Sequence, residues 1–175
     1  MATTQRSGTY RPKDLSIVIS NETLGISHIV GGFSEDAIVN IERGADGFAL
    51  YVGSDNFTTR VENANDSGNV TITLQQSSPS NDFLQALYNG DRGSRNDDYV
   101  CSILIKDNSG RTMFFSDEAW VGMQANANFS NSLQTREWVF QCAHLQSYVG
   151  GNARVTATDR DLLADLGVTL EDRWV

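Results

Sequence analysis

Catalysis needs nucleophiles, bases or metal ligands brought close together, and this chain carries few of them. His28 and His144 are its only histidines, and Cys101 and Cys142 its only cysteines. No His-x-x-x-His, Cys-x-x-Cys or His-Glu pair occurs, so a zinc site would lack ligands at any workable spacing. His144 follows Cys142 by two residues, which on a strand puts both on one face. Cys142 nevertheless lies in a core-like run with Phe140 and Ala143, and no third group is placed to orient a base. The two cysteines read as buried, unpaired thiols of a cytoplasmically made protein rather than as a disulfide.

The acids give no better catalyst. Asp36, Glu42, Asp55, Glu62 and Asp66 fall on solvent-facing strand positions and turns, where a carboxylate needs no general acid–base role. Asp107-Asn108-Ser109-Gly110 begins like a calcium loop but lacks the later ligands and the terminal Glu. Gly31-Gly32 and Gly150-Gly151 lack the spacing of a phosphate-cradling loop. Trp120 and Trp138 could stack on sugars or bases, yet each sits in an alternating strand and reads more simply as core. No cofactor site emerges, and the expectation is a protein that is not an enzyme.

The elements that position these residues are mostly strands. In 175 residues there are 15 Gly and 2 Pro, and long helical periodicity is absent. That length suits one domain with a real core. Residues 15–19, 25–33 (interrupted by Gly31-Gly32), 36–43, 48–52 and 57–62 read as short strands separated by turns, the pattern of a meander in a sandwich or barrel. The stretch 68–87 organises the rest. Val70, Ile72 and Leu74 alternate with Thr71, Thr73 and Gln75 as a half-buried strand. Ser78-Pro79 then opens a short amphipathic helix carrying Phe83, Leu84 and Leu87, with Ser78 or Ser80 as its cap and Asn89-Gly90 as its end. Residues 99–105 and 111–116 flank the Asp107–Gly110 turn as a hairpin; residues 118–123 and 135–143 are further strands. Thr158 with Asp161 marks a capping box before Leu162, Leu163 and Leu166, and Gly167 closes a short C-terminal helix.

Charge narrows the partners. Lys and Arg number 13 against 22 Asp and Glu, a formal net charge of −9. Gripping nucleic acid takes phosphate-neutralising cations, so this balance opposes it and suits a surface that repels DNA. The first 13 residues hold no apolar run, so they are read as neither a signal nor a membrane span. Residues 89–98 contain no apolar side chain at all but carry Asp91, Arg92, Arg95, Asp97 and Asp98. A polar loop of this length is functional or disordered. Arg92 and Arg95 admit a weak phosphate site, whereas the alternating signs favour a solvated or subunit-contacting loop.

The strand ending in Leu74, the Gln75-to-Asp82 link, and the helix with Phe83-Leu84 and Ala86-Leu87 together resemble the tail tube subunits of contractile-tailed bacteriophages. Lys106-Asp107 through Gly110-Arg111, the Trp120 strand, Thr135-Arg136-Glu137-Trp138 and the Gly150-Gly151-Asn152 ending extend the resemblance over most of residues 13–152. It implies an antiparallel β-sandwich or barrel with one short flanking helix. It further implies a subunit that assembles with itself into stacked hexameric rings, inside a sheath and between baseplate and terminator proteins. Such a virion component is assembled in the host cytoplasm and passes genomic DNA without specific binding, and it has no membrane role. On this reading residues 1–12 form an arm, either disordered or ordered on a neighbour, residues 13–152 the tube-like domain, and residues 153–175 an acidic extension outside the resemblance. The polar faces of strands 36–43, 57–62 and 69–76 then supply the channel lining: Asn40, Glu42, Glu62, Thr71, Thr73 and Gln75. The alternative for this face is an ordinary solvated exterior. Asp91, Arg92, Arg95 and Asp97 are the expected contacts to neighbouring subunits. Two other functions fit the same architecture: a secretion-system tube protein, and a monomeric host- or carbohydrate-binding β-sandwich of a tail appendage. The latter calls for exposed aromatics, which residues 63–68 and 89–98 lack.

Overall fold

A computed structural model describes residues 7–175. Ten strands and two helices follow in order: β1 (Leu15–Asn21), β2 (Ile26–Ile29), β3 (Val39–Arg43), β4 (Phe48–Val52), β5 (Thr58–Glu62), β6 (Gly68–Gln75), α1 (Ser80–Gly93), β7 (Cys101–Asp107), β8 (Met113–Met123), β9 (Thr135–Cys142), β10 (Gln146–Tyr148) and α2 (Ala157–Asp165). One antiparallel sheet runs β2-β1-β7-β8-β9-β6-β3, with β10 added beside the start of β8. Ile17 and Ile19 of β1 share a single buried cluster with Val70, Ile72 and Leu74 of β6, although three strands separate the two in the order. The sheet therefore curls over on itself, giving the expected mainly β, sandwich-like arrangement.

Period-two alternation builds that core. Cys101, Ile103 and Ile105 of β7 and Trp138, Phe140 and Cys142 of β9 all turn inward. Leu84 and Leu87 press α1 onto the same cluster. The start of that helix is shifted by one from the expected cap: Pro79 holds the cap position with no side-chain cap, while Ser78 Oγ accepts the Ser80 N–H at 3.2 Å and donates to the Gly31 carbonyl at 2.6 Å. Its end differs. The helix runs through Asn89-Gly90 to Gly93, and the ring of Tyr99 occupies the space where a Cβ on Gly90 would stand. Gly90 thus serves a close approach within the helix rather than a stop.

Three further expectations shift. Residues 111–116 and 118–123 are not two strands but the single strand β8, kept continuous by a register shift opposite Cys101 and Ile103. Trp120 is not core. Ala119 and Val121 fill the inner face opposite Cys142 and Phe140, so alternation turns the indole outward, where Nε1 donates to Gln141 Oε1 at 3.2 Å. The C-terminal helix is capped by Thr156 rather than Thr158: Thr156 Oγ1 accepts the Asp159 N–H at 3.2 Å. Gly167, at φ +81°, closes it as expected.

Candidate assembly surfaces

The polar faces of β3, β6, β9 and β8 merge into one surface. Register places Glu42 beside Asn69, Gln141 and Trp120 in one row, and Asn40 beside Thr71 and Val139 in the next. Asn40 Nδ2 donates to Glu42 Oε1 at 2.9 Å, and both side chains are exposed. Thr73 lies on the same face but is buried, and the 33–38 segment pairs with its backbone: Ser34 N–H donates to the Thr73 carbonyl, and Thr73 N–H to that of Ile38. Gln75 is tied to the same segment through its Nε2, which donates to the Phe33 carbonyl at 3.0 Å. Glu62 is separate, standing on β5 opposite Phe48 and away from the main sheet. The surface instead gains Glu137, paired with Thr73, and Glu118, outward like Trp120. Sequence reasoning missed these two because their placement depends on which strands pair.

Strands β4 and β5 form a second surface of another kind. They pair only with each other, and all ten of their residues are exposed. One face carries Phe48, Leu50 and Val52 with Thr58, Arg60 and Glu62, and the other Ala49 and Tyr51 with Thr59 and Val61. The Arg60 guanidinium lies 3.7 Å from the centre of the Phe48 ring. At the tip Asn56 takes a left-handed conformation, φ 63°, and Asp55 Oδ1 accepts the Phe57 N–H at 3.2 Å. Phe57 itself is 72% exposed.

The polar loop expected over 89–98 is shorter than that range. Asp91 and Arg92 belong to the last turn of α1, while Arg95 and Asp97 remain in the loop that follows. Arg92, Arg95 and Asp97 are exposed, Asp91 is half-buried, and neither arginine forms an ion pair among the described residues. The loop's far end is fixed by buried Asn21, whose Nδ2 donates to the carbonyls of Asp98 and Val100 at 2.7 and 3.0 Å. Residues 1–6 of the arm lie outside the described residues. Arg11 N–H donates to Ser109 Oγ at 3.3 Å, and Gly8 lies against Asn152 and Ala153.

The groups that could have carried chemistry are occupied structurally. Burial raises the Cys101 and Cys142 thiols above their ordinary pKa, which makes each a poor nucleophile. His144 is exposed while Cys142 is buried, so the two form no dyad. His28 Nε2 lies 2.9 Å from Ser80 Oγ, its ring stacks on Phe83, and burial lowers its pKa. Asp107 is nearly buried, which alone would raise its pKa. The Ser109 hydroxyl, the Asn152 amide and the Ser109 N–H outweigh that and hold it low. With its oxygens so engaged, Asp107 pins the Gly150-Gly151-Asn152 run to the β7–β8 turn. Among the described residues no group of three or more His, Cys, Asp or Glu could hold a metal ion, and no helix is long and apolar enough to cross a membrane.

The chain belongs to the family described as bacteriophage PhiTE tail tube protein, whose pattern matches residues 7–150. It is 45% identical over 170 residues to structural protein ORF10 of Pseudomonas phage KPP10, covering 97% of this chain and 98% of that one. Its fold is similar to the sheath/tube terminator of the extracellular contractile injection system PVC, with a TM-score of 0.54 at 10% identity over 82% of this chain and 99% of that one. It is likewise similar to the tube-terminating cap of the anti-feeding prophage, with a TM-score of 0.52 at 10% identity, covering 85% and 99% respectively. The chain is a structural protein of the phage tail and not an enzyme.

Proposed function

We propose that this chain is the repeating subunit of a tail tube, assembling with itself into stacked hexameric rings that form the conduit for DNA ejection into the host. The observation that carries this reading is the β4–β5 ribbon. An isolated two-stranded hairpin is marginal in water, and unpaired strand edges invite further pairing. A ribbon with Phe48, Leu50 and Val52 on one face and Tyr51 and Val61 on the other finds its stability against another subunit.

The outward face of β3, β6, β9 and β8, polar at Asn40, Glu42, Asn69, Thr71 and Gln141, is the channel lining in this reading. Its acids, Glu42, Glu118 and Glu137, repel phosphate, and repetition around a ring multiplies each charge. Arg92, Arg95, Asp97 and the half-buried Asp91 face neighbouring subunits, as does the N-terminal arm. Residues 13–152 act as the tube body and residues 153–175 as an appended extension. Sheath subunits surround the tube, baseplate and terminator proteins meet its ends, and assembly takes place in the host cytoplasm.

Size-exclusion chromatography with electron microscopy of the purified protein tests the reading. Rings or tubes are the expected result, and a monodisperse monomer at every concentration overturns it.

A further inference from the structure

The segment after Asn152 folds back over the β7–β8 hairpin without packing tightly on it. Helix α2 buries no residue, and a cleft of about 360 Å³ separates residues 167–174 from the sheet. Met113, Tyr148, Val168, Leu170 and Trp174 make the cleft apolar. Three cations, Lys106, Arg111 and Arg173, stand around it against one carboxylate, Glu171, which pairs with Arg173 at 2.5 Å. Arg111 is fixed in place: its Nη1 donates to the Ala153 carbonyl at 2.6 Å, and its guanidinium faces the Trp174 ring at 5.3 Å. Lys106 forms no ion pair among the described residues. An apolar hollow with fixed positive charge on its rim suits an aromatic side chain that arrives beside a carboxylate.

The same chain presents such a group elsewhere. The β4–β5 tip offers the exposed Phe57 ring two residues from Asp55, in a turn already set by Asn56 and by the Asp55–Phe57 hydrogen bond. Gly53 N–H also donates to the Phe57 carbonyl at 2.8 Å, so little ordering remains to be lost on binding. In its own chain Phe57 stays exposed and no tip residue lines the cleft. We propose that the cleft beneath the C-terminal segment receives the β4–β5 tip of a second copy, with Phe57 in the apolar hollow and Asp55 facing Lys106 and Arg111. This rests on the self-assembly reading above and gives the segment outside the family match a role as a receptor. When one copy's tip enters its neighbour's pocket and the neighbour's tip enters that of a third copy, the contact is heterologous and propagates as a ring or a stack.

Asp55→Asn removes the charge but keeps the acceptor for the Phe57 N–H, and Phe57→Ala removes an exposed ring. Both variants should keep the wild-type melting temperature while forming tubes about tenfold more slowly, as should Lys106→Glu. Copies carrying Phe57→Cys mixed with copies carrying Val168→Cys should give a 57–168 disulfide in assembled material, read by mass spectrometry of the linked peptides; Cys101 and Cys142 are buried and do not compete. Wild-type rates for Asp55→Asn and Phe57→Ala, with no 57–168 link, overturn the docking while leaving tube formation in place. Failure of the wild-type protein itself to assemble overturns both.

Discussion

The curled sheet and the β4–β5 ribbon use the same alternation of side chains to opposite ends. In the sheet, Ile72 of β6 and Trp138 of β9 sit opposite one another and are both buried. In the ribbon, Leu50 and Tyr51 are neighbours on opposite faces, and each is more than 60% exposed. A strand that turns every apolar group one way completes its own core. A strand pair that is apolar on both faces leaves its burial to a partner. If the proposed assembly is right, stability and assembly are separable, and substitutions should divide accordingly.

The largest effect on folding is expected at Trp138, which is 3% exposed and donates through Nε1 to Asn81 Oδ1 at 2.9 Å. Trp138→Ala should cost about 3–5 kcal/mol, measured by denaturant unfolding, through lost burial and the cavity left behind. A loss within the range of an exposed site would remove Trp138 from the core. Leu50→Lys with Tyr51→Lys should do the reverse: unfolding within about 0.5 kcal/mol of wild type, with assembled material lost on a sizing column. If the ribbon variant melts early, the ribbon is part of the fold and the division fails.

A smaller effect is expected on the polar face. Glu42→Lys should leave tubes intact but slow genome ejection, most at low salt, where screening is weakest. Ejection at the wild-type rate at every ionic strength would place Glu42 outside the path. The smallest effect is expected at His28. Burial lowers its pKa in the fold, so the unfolded chain takes up the proton first. The contribution of neutral His28 is then complete above the unfolded value of about 6.5 and is lost as pH falls below it. Melting temperature should drop more steeply below that pH in the wild type than in His28→Asn; equal slopes would show that the ring contributes nothing.

Much of the frame was legible because burial imposes a two-residue period. Val70, Ile72 and Leu74 against Thr71, Thr73 and Gln75 announce β6, and residues 48–52 and 57–62 read as two short strands of a meander, which the structure pairs with each other. What alternation leaves open is the identity of the neighbour. Glu62 reads like Glu42 in sequence, yet one lies on the ribbon and the other on the main sheet. Trp120 reads as core by size, but Ala119 and Val121 had already filled the inner positions. Gly90 reads as a helix stop because its requirement comes from Tyr99, nine residues on, against which no local rule could test it. Thr73 reads as part of the polar face but is buried, next to the 33–38 segment that pairs with its backbone.

The comparison between sheet and ribbon is tested most directly by hydrogen exchange on the same protein before and after assembly. Amides of β6 and β9 should be protected in both states, since their ladders are complete within one chain. Amides of β4 and β5 should exchange rapidly in the free subunit and become protected in the assembled tube. Ribbon amides that exchange equally fast in both states would contradict the account, because the ribbon would then have no partner.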